Sequence, residues 1–252
     1  MAVLERMIGV RNNRTIYRDG AHKIKVFEAG TEKADVFREA FKLAAIESVG
    51  LEVPKIHGVE EQDGKWMIIS EYIGGKTLDR LMLENPEDRS RYLEQFVKLH
   101  CSIHSQRMNV QSVRSIERMT DEVNRLIAAS DLPATVRFDL HSRLDRMPKA
   151  DRLCHGDFNP TNVVFSRDGK PYILDWEYAC CGDPCADAAV TYLEFCLDGE
   201  EAAAEEYCRL YCESAECDIS AVHRWIPVMA AALSVGRVLS EREKLIGWMK
   251  NF

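Results

Sequence analysis

The sequence predicts an α+β fold: a small N-terminal lobe of antiparallel strands with one helix, then a larger, mainly helical C-terminal lobe. Three observations predict it. Before residue 74 the apolar residues alternate with the period of strands, and Asp63-Gly64 marks a tight hairpin turn. Gly74-Gly75 then punctuates the chain. Beyond it the apolar residues recur at helical spacing, except in a strand-like interlude over 152–175. The expected domains are 1–73 and 74–252.

Taken in order, Lys23-Ile24-Lys25-Val26-Phe27 reads as a strand with Ile24 and Val26 on one face and Lys23, Lys25 and Phe27 on the other. Thr31 is a candidate cap for the next helix, in which Val36, Phe37, Ala40, Phe41 and Ala44 form the apolar stripe and Gly50 marks the stop. Residues 54–59 and 65–72 flank the Asp63-Gly64 turn as a hairpin. After the glycine pair, Leu93, Phe96, Val97, His100 and Ile103 define one helix. Further helices are expected over 115–129, 133–146, 187–197, 200–213 and 222–250. Asp168-Gly169 is the turn of the interlude, and Asp187 is placed as a helix N-cap.

Composition excludes several classes. A net charge of −8 disfavours nucleic-acid binding, which needs a basic surface. No apolar run approaches the ~20 residues of a membrane span. The first residues carry an acidic side chain and no long apolar stretch, so no secretory signal is expected and a cytoplasmic location is. The nine cysteines are odd in number and lack a C-x-x-C pair, which favours reduced thiols used as small hydrophobes over a zinc site. His100 and His104 stand one helical turn apart, as metal ligands can, but His100 falls in the apolar stripe and no third ligand is evident; both read as packing residues.

The chemistry concentrates in His155-Gly156-Asp157-Phe158-Asn159-Pro160-Thr161-Asn162, followed by Ile173-Leu174-Asp175-Trp176-Glu177. Phosphoryl transfer needs aligned phosphates, metal ions to neutralise charge and a carboxylate to orient the attacking hydroxyl. Asp157 suits the base, and Asn162 and Asp175 offer the oxygen ligands that a hard Mg²⁺ ion takes. The spacing is that of a kinase catalytic loop, H-x-D-x-x-x-x-N, with a later Asp.

These residues resemble the aminoglycoside phosphotransferases and their choline, ethanolamine and thiamine kinase relatives, which share a protein-kinase-like, bilobal fold. Asp175-Trp176-Glu177-Tyr178-Ala179 and Gly182-Asp183-Pro184, with Asp187 after them, look especially like the bacterial choline and thiamine kinase branch. The resemblance implies an O-phosphotransferase that moves the γ-phosphate of ATP or GTP, with Mg²⁺, onto a small-molecule hydroxyl. The acceptor is open between choline-, ethanolamine-, thiamine- and aminoglycoside-like amines and uncharged alcohols. It also implies a strand lysine on the phosphates, here Lys25 with Lys23 as its competitor, and a helix glutamate paired with it, here Glu39 with Glu47 as the alternative. The adenine is expected against the backbone of Glu71, Tyr72 and Ile73. His155 and Asp187 are expected to brace the loop.

One departure stands out. The phosphate loop normally uses glycines for close backbone approach, yet residues 8–17 hold only Gly9. Asn12 or Asn13 is the candidate for a positive-φ turn, and Arg11 and Arg14 for phosphate contact or plain surface. Two rivals stay in view. A non-catalytic nucleotide-binding protein would have lost the base or a metal ligand, and none is lost here. A protein kinase would need an activation segment and an Ala-Pro-Glu motif, whereas eleven residues (176–186) separate Asp175 from Asp187.

Overall fold

The computed structural model describes residues 4, 6–11, 14–107 and 116–251, without the side chains of residues 11, 250 and 251. The chain divides into two compact units: Met1–Leu81 with Thr161–Glu177, and Met82–Pro160 with Tyr178–Phe252. The division therefore differs from the single boundary expected at 73/74. The reason is strand pairing: β6 (Gly75–Thr77) is hydrogen-bonded to β8 (Val163–Ser166), which pairs in turn with β9 (Pro171–Ile173). The later part of the interlude, 161–175, thus belongs to the first unit, and 152–160 to the second.

The core of that unit is an antiparallel sheet in the order β1-β2-β3-β5-β4: β1 Arg6–Arg11, β2 Arg14–Asp19, β3 His22–Val26, β4 Ile56–Gln62 and β5 Lys65–Glu71. The β4–β5 turn is Asp63-Gly64 as expected, both residues left-handed at φ 53° and 73°. Ile24 and Val26 of β3 are buried with Met67, so Lys23 and Lys25 share the opposite face.

Helix α1 (Lys33–Glu47) lies where expected but is rotated. Val36 and Ala40 pack with Phe27 and Ile68, while Phe37 and Phe41 are exposed at 46% and 54%. The side chains that join the buried face instead are Glu39 and Lys42. Apolar periodicity alone could not reveal this, because charged groups bury here against charged partners. Phe37 finds its partner at the rim, edge-on to Trp66 with Lys33 over both rings. Thr31 does not cap the helix; its hydroxyl donates to Glu28 O, and Glu32 holds the cap position.

In the second unit, α2 (Leu78–Glu84) crosses the division and α3 (Arg89–His104) follows. The five residues expected to form the α3 stripe are all buried. Then come α4 (Met119–Ala129), α5 (Ala134–Asp145), the strand pair β7 (Arg152–Cys154) and β10 (Cys180–Gly182), α6 (Pro184–Leu197) and α7 (Glu201–Ala215). The single helix expected over 222–250 is three pieces: α8 (Ile219–His223), α9 (Ile226–Leu233) and α10 (Leu239–Asn251). Pro227 sits in the first turn of α9, where its missing N–H costs nothing, and Gly236 at φ 79° separates α9 from α10. Asp183, not Asp187, caps α6, accepting from the Cys185 amide. Cys154, Cys180, Cys181, Cys196, Cys208 and Cys212 are buried as free thiols, in keeping with their use as small hydrophobes.

Gly75 joins β6 to β8 because a side chain cannot fit. A Cβ there would lie 2.0 Å from Phe165 O. Gly75→Ala should therefore part this strand pair at a cost of about 1–3 kcal/mol. Urea unfolding of the variant against the parent checks this.

Candidate active site

In the second unit, the segment 155–160 hangs from a buried carboxylate. Asp187, in the first turn of α6, is fully buried. Its Oδ2 accepts the His155 amide at 2.7 Å and its Oδ1 the Gly156 amide at 2.8 Å. The same Oδ2 faces Nε2 of His100 and of His104, each at 3.1 Å. The far nitrogens of those rings meet the Tyr207 hydroxyl at 2.7 Å and the Tyr211 hydroxyl at 2.9 Å. Burial alone would raise the Asp187 pKa, but the hydrogen bonds from the two histidines outweigh it and hold the carboxyl well below its ordinary range. Burial and the neighbouring His104 push His100 down to about 3, so it is neutral and donates through Nε2.

The structure thus supplies the third group that sequence spacing had not revealed beside His100 and His104. The three ligand atoms lie within 4.8 Å of one another. Yet every ring nitrogen already has a partner and Asp187 already accepts two backbone amides. This is a closed hydrogen-bond network rather than an open coordination sphere, which matches the packing role expected of both histidines.

Three further contacts shape the loop. Gly156 adopts φ 80°, and a Cβ there would lie 2.3 Å from Tyr178 O. Phe158 stacks on Phe96 with centroids 4.3 Å apart, and its carbonyl accepts from Thr191 at 2.7 Å. Asn159 donates to Asp157 Oδ1 at 3.0 Å, fixing the carboxylate at the loop tip. Asp157 acts at a distance on Glu194. Burial raises the Glu194 carboxyl to about 7, against the pull of its ion-pair partner Arg237, and the Asp157 charge adds to the rise.

In the first unit, Lys25 Nζ lies 2.6 Å from Glu39 Oε1, the pairing expected from sequence. Glu47, the alternative, is instead hydrogen-bonded to the Ile56 amide. Lys25 also reaches Glu177 at 3.2 Å, and Arg14 is ion-paired with the same carboxylate. Arg14 is therefore a half-buried member of a charge cluster rather than plain surface. Burial raises the Glu177 pKa, but the Lys25 and Arg14 charges outweigh it and leave the carboxyl below its ordinary value. Lys42 donates to Glu177 O at 3.1 Å. Glu177 and Lys42 were not singled out by sequence reasoning, and Arg14 only as a phosphate contact or plain surface; the Asp-Trp-Glu motif was the available signal for Glu177.

Asp175 takes the left-handed conformation at φ 57°. The segment is pinned on both sides, by Leu174 N to Asn162 O at 2.8 Å and by Trp176 Nε1 to Ile173 O at 3.0 Å. Lys23, the competitor of Lys25, lies 2.9 Å from Asp175 Oδ1. Asn162 is buried at the start of β8. An amide and a carboxylate on joined segments form an all-oxygen donor set, which fits a hard divalent cation such as Mg²⁺. Of the expected adenine-binding segment, the Glu71 amide is spent on Lys55 O at 2.7 Å and the Tyr72 amide on Ala21 O at 2.8 Å. Asn12 and Asn13 lie outside the described residues. Among the described residues, no helix is long and apolar enough to cross a membrane.

The sequence matches the phosphotransferase enzyme family over residues 7–242. The fold is similar to that of the choline kinase LicA from Streptococcus pneumoniae, with 18% identity and TM-score 0.67 over 98% of this chain and 93% of that one. It is also similar to a thermostable mutant of the aminoglycoside phosphotransferase APH(4)-Ia in a ternary complex with ADP and hygromycin B, with 14% identity, TM-score 0.67, and 97% and 90% of the two chains covered. A choline/ethanolamine kinase family protein from Mesorhizobium loti matches at 19% identity and TM-score 0.58, covering 99% and 87%. These likenesses show a kinase-like α+β fold. Among curated proteins, acyl-CoA dehydrogenase family member 10 of Mus musculus is 26% identical over 210 residues, 69% of this chain. The chain spans only 20% of that relative's length.

The buried network makes acid lability a direct consequence. His100 has an ordinary pKa of 6.5 and a folded value of about 3, so the unfolded chain takes up a proton that the folded one refuses. Its contribution to stability is complete above pH 6.5 and is lost as pH falls toward 3, at up to about 1.4 kcal/mol per pH unit. Urea unfolding from about pH 7.5 down to about pH 4, which covers most of this window, should show that slope, and His100→Asn should flatten it.

Proposed function

The chain belongs to the phosphotransferase enzyme family, and we propose that it transfers the γ-phosphate of ATP or GTP to a hydroxyl of a small molecule. The observation that carries the reading is the Lys25–Glu39 pair at 2.6 Å on the same unit as Asn162 and Asp175. A lysine fixed by a helix glutamate is the phosphate-orienting device of kinase chemistry. Lys25 would bind the α- and β-phosphates. Asn162 and Asp175 would hold Mg²⁺, which when bound neutralises charge on the phosphates. Asp157 would accept the proton of the acceptor hydroxyl as its oxygen bonds to the γ-phosphorus and the bond to the bridging oxygen breaks, releasing the nucleoside diphosphate. With two hinge amides spent internally, the adenine contacts fall to the Ile73 amide and the carbonyls of residues 71–73.

The short stretch from Asp175 to Asp187 favours a small acceptor over a protein. The retention of Asp157, Asn162 and Asp175 favours catalysis over nucleotide binding alone. Asp157→Asn should lower turnover by about 10²–10⁴-fold with the fold intact. Mg²⁺-dependent ATP and GTP consumption against choline, ethanolamine, thiamine, sugar and aminoglycoside acceptors measures this and names the acceptor. Unchanged turnover in the variant would remove Asp157 from the role of base.

An amine-containing acceptor is supported by Glu194, a carboxyl raised to about 7 and coupled to the Asp157 charge. A bound ammonium would favour its ionised form. Acceptor KM should then fall as pH rises through about 7, and Glu194→Gln should abolish the trend. A KM independent of pH in this range points to an uncharged alcohol.

A further inference from the structure

Two lysines on one face of β3 were competitors for a single role in the sequence. In the structure they hold different partners. Lys25 is engaged by Glu39 at 2.6 Å and Glu177 at 3.2 Å, whereas Lys23 meets Asp175 Oδ1 at 2.9 Å. Both ends of the Lys23–Asp175 pair are held in place. Lys23 sits on the third strand of the sheet, hydrogen-bonded on either side to β2 and β5. Asp175 is fixed in the left-handed region between the bonds at Leu174 and Trp176, and the next residue but one is anchored through Lys42. The pair is partly sheltered, with side-chain exposures of 22% and 28%, so solvent screens it less than a surface ion pair.

Kinases of this chemistry use two divalent ions, held by the carboxylate equivalent to Asp175 and the amide equivalent to Asn162. Here one oxygen of that carboxylate faces the Lys23 ammonium at 2.9 Å. Glu177, the other acidic residue of the segment, already answers Lys25 and Arg14. We propose that Lys23 serves as a built-in cation on Asp175 in place of a second divalent ion, so that the site takes a single Mg²⁺ with the nucleotide. The ammonium supplies part of the positive charge that a second ion would bring, and it repels that ion from the shared carboxylate. This rests on the kinase reading above.

The test counts ions rather than turnover. Mn²⁺ binding is titrated by electron paramagnetic resonance with saturating non-hydrolysable ATP analogue, in the parent, Lys23→Met and Lys23→Arg chains. The parent and Lys23→Arg should bind one Mn²⁺ per chain, and Lys23→Met two. Circular dichroism confirms that Lys23→Met is folded, and Lys23→Arg keeps the charge should it not be. Two ions in the parent, one in folded Lys23→Met, or two in Lys23→Arg would each overturn the role of Lys23 while leaving the kinase reading in place. Failure of the parent to bind the analogue at all would overturn both.

Discussion

A single buried carboxylate, Asp187, organises the second unit. It satisfies the amides of His155 and Gly156 at the start of the loop. Its charge is made tolerable by two histidines, each backed by a tyrosine hydroxyl. Removing one partner of such a network strands the others, at about 3–5 kcal/mol, which is why α3, α6 and α7 must all be in place for the loop to hold its shape. Gly156 completes the arrangement by letting the backbone pass close to Tyr178.

The first unit follows a different electrostatic logic. Its charges answer one another in a cluster: Arg14 and Lys25 against Glu39 and Glu177, with Lys23 against Asp175, while Lys42 donates to the Glu177 carbonyl. Arg14, Glu177, Lys23 and Asp175 keep partial access to solvent, whereas Glu39 and Lys42 are buried. The second unit thus rests on a desolvated hydrogen-bond network, and the first on ion pairs that are mostly half-buried.

The glycine-poor segment 8–17 leads into this cluster. Arg14 on β2 and Lys25 on β3 converge on the same carboxylate, Glu177. Guanidinium and ammonium groups can supply positive charge that fewer amides would otherwise provide.

The sequence by itself determined the strand and helix periods, the Asp63-Gly64 hairpin, the α3 stripe and the kinase-like motifs over 155–162 and 173–177, since all of these rest on local spacing or on residues close in the chain. It also singled out the Lys25–Glu39 pairing through a family resemblance. Only the tertiary structure decided which face of α1 is buried, because Glu39 buries against Lys25 and Arg14, and Lys42 against the backbone carbonyl of Glu177, far along the chain. It alone joined His100, His104 and Asp187, separated by more than eighty residues, into one network. And it alone gave Lys23 and Lys25 different partners, because period-two alternation assigns a face to a side chain but cannot say which distant carboxylate will meet it there.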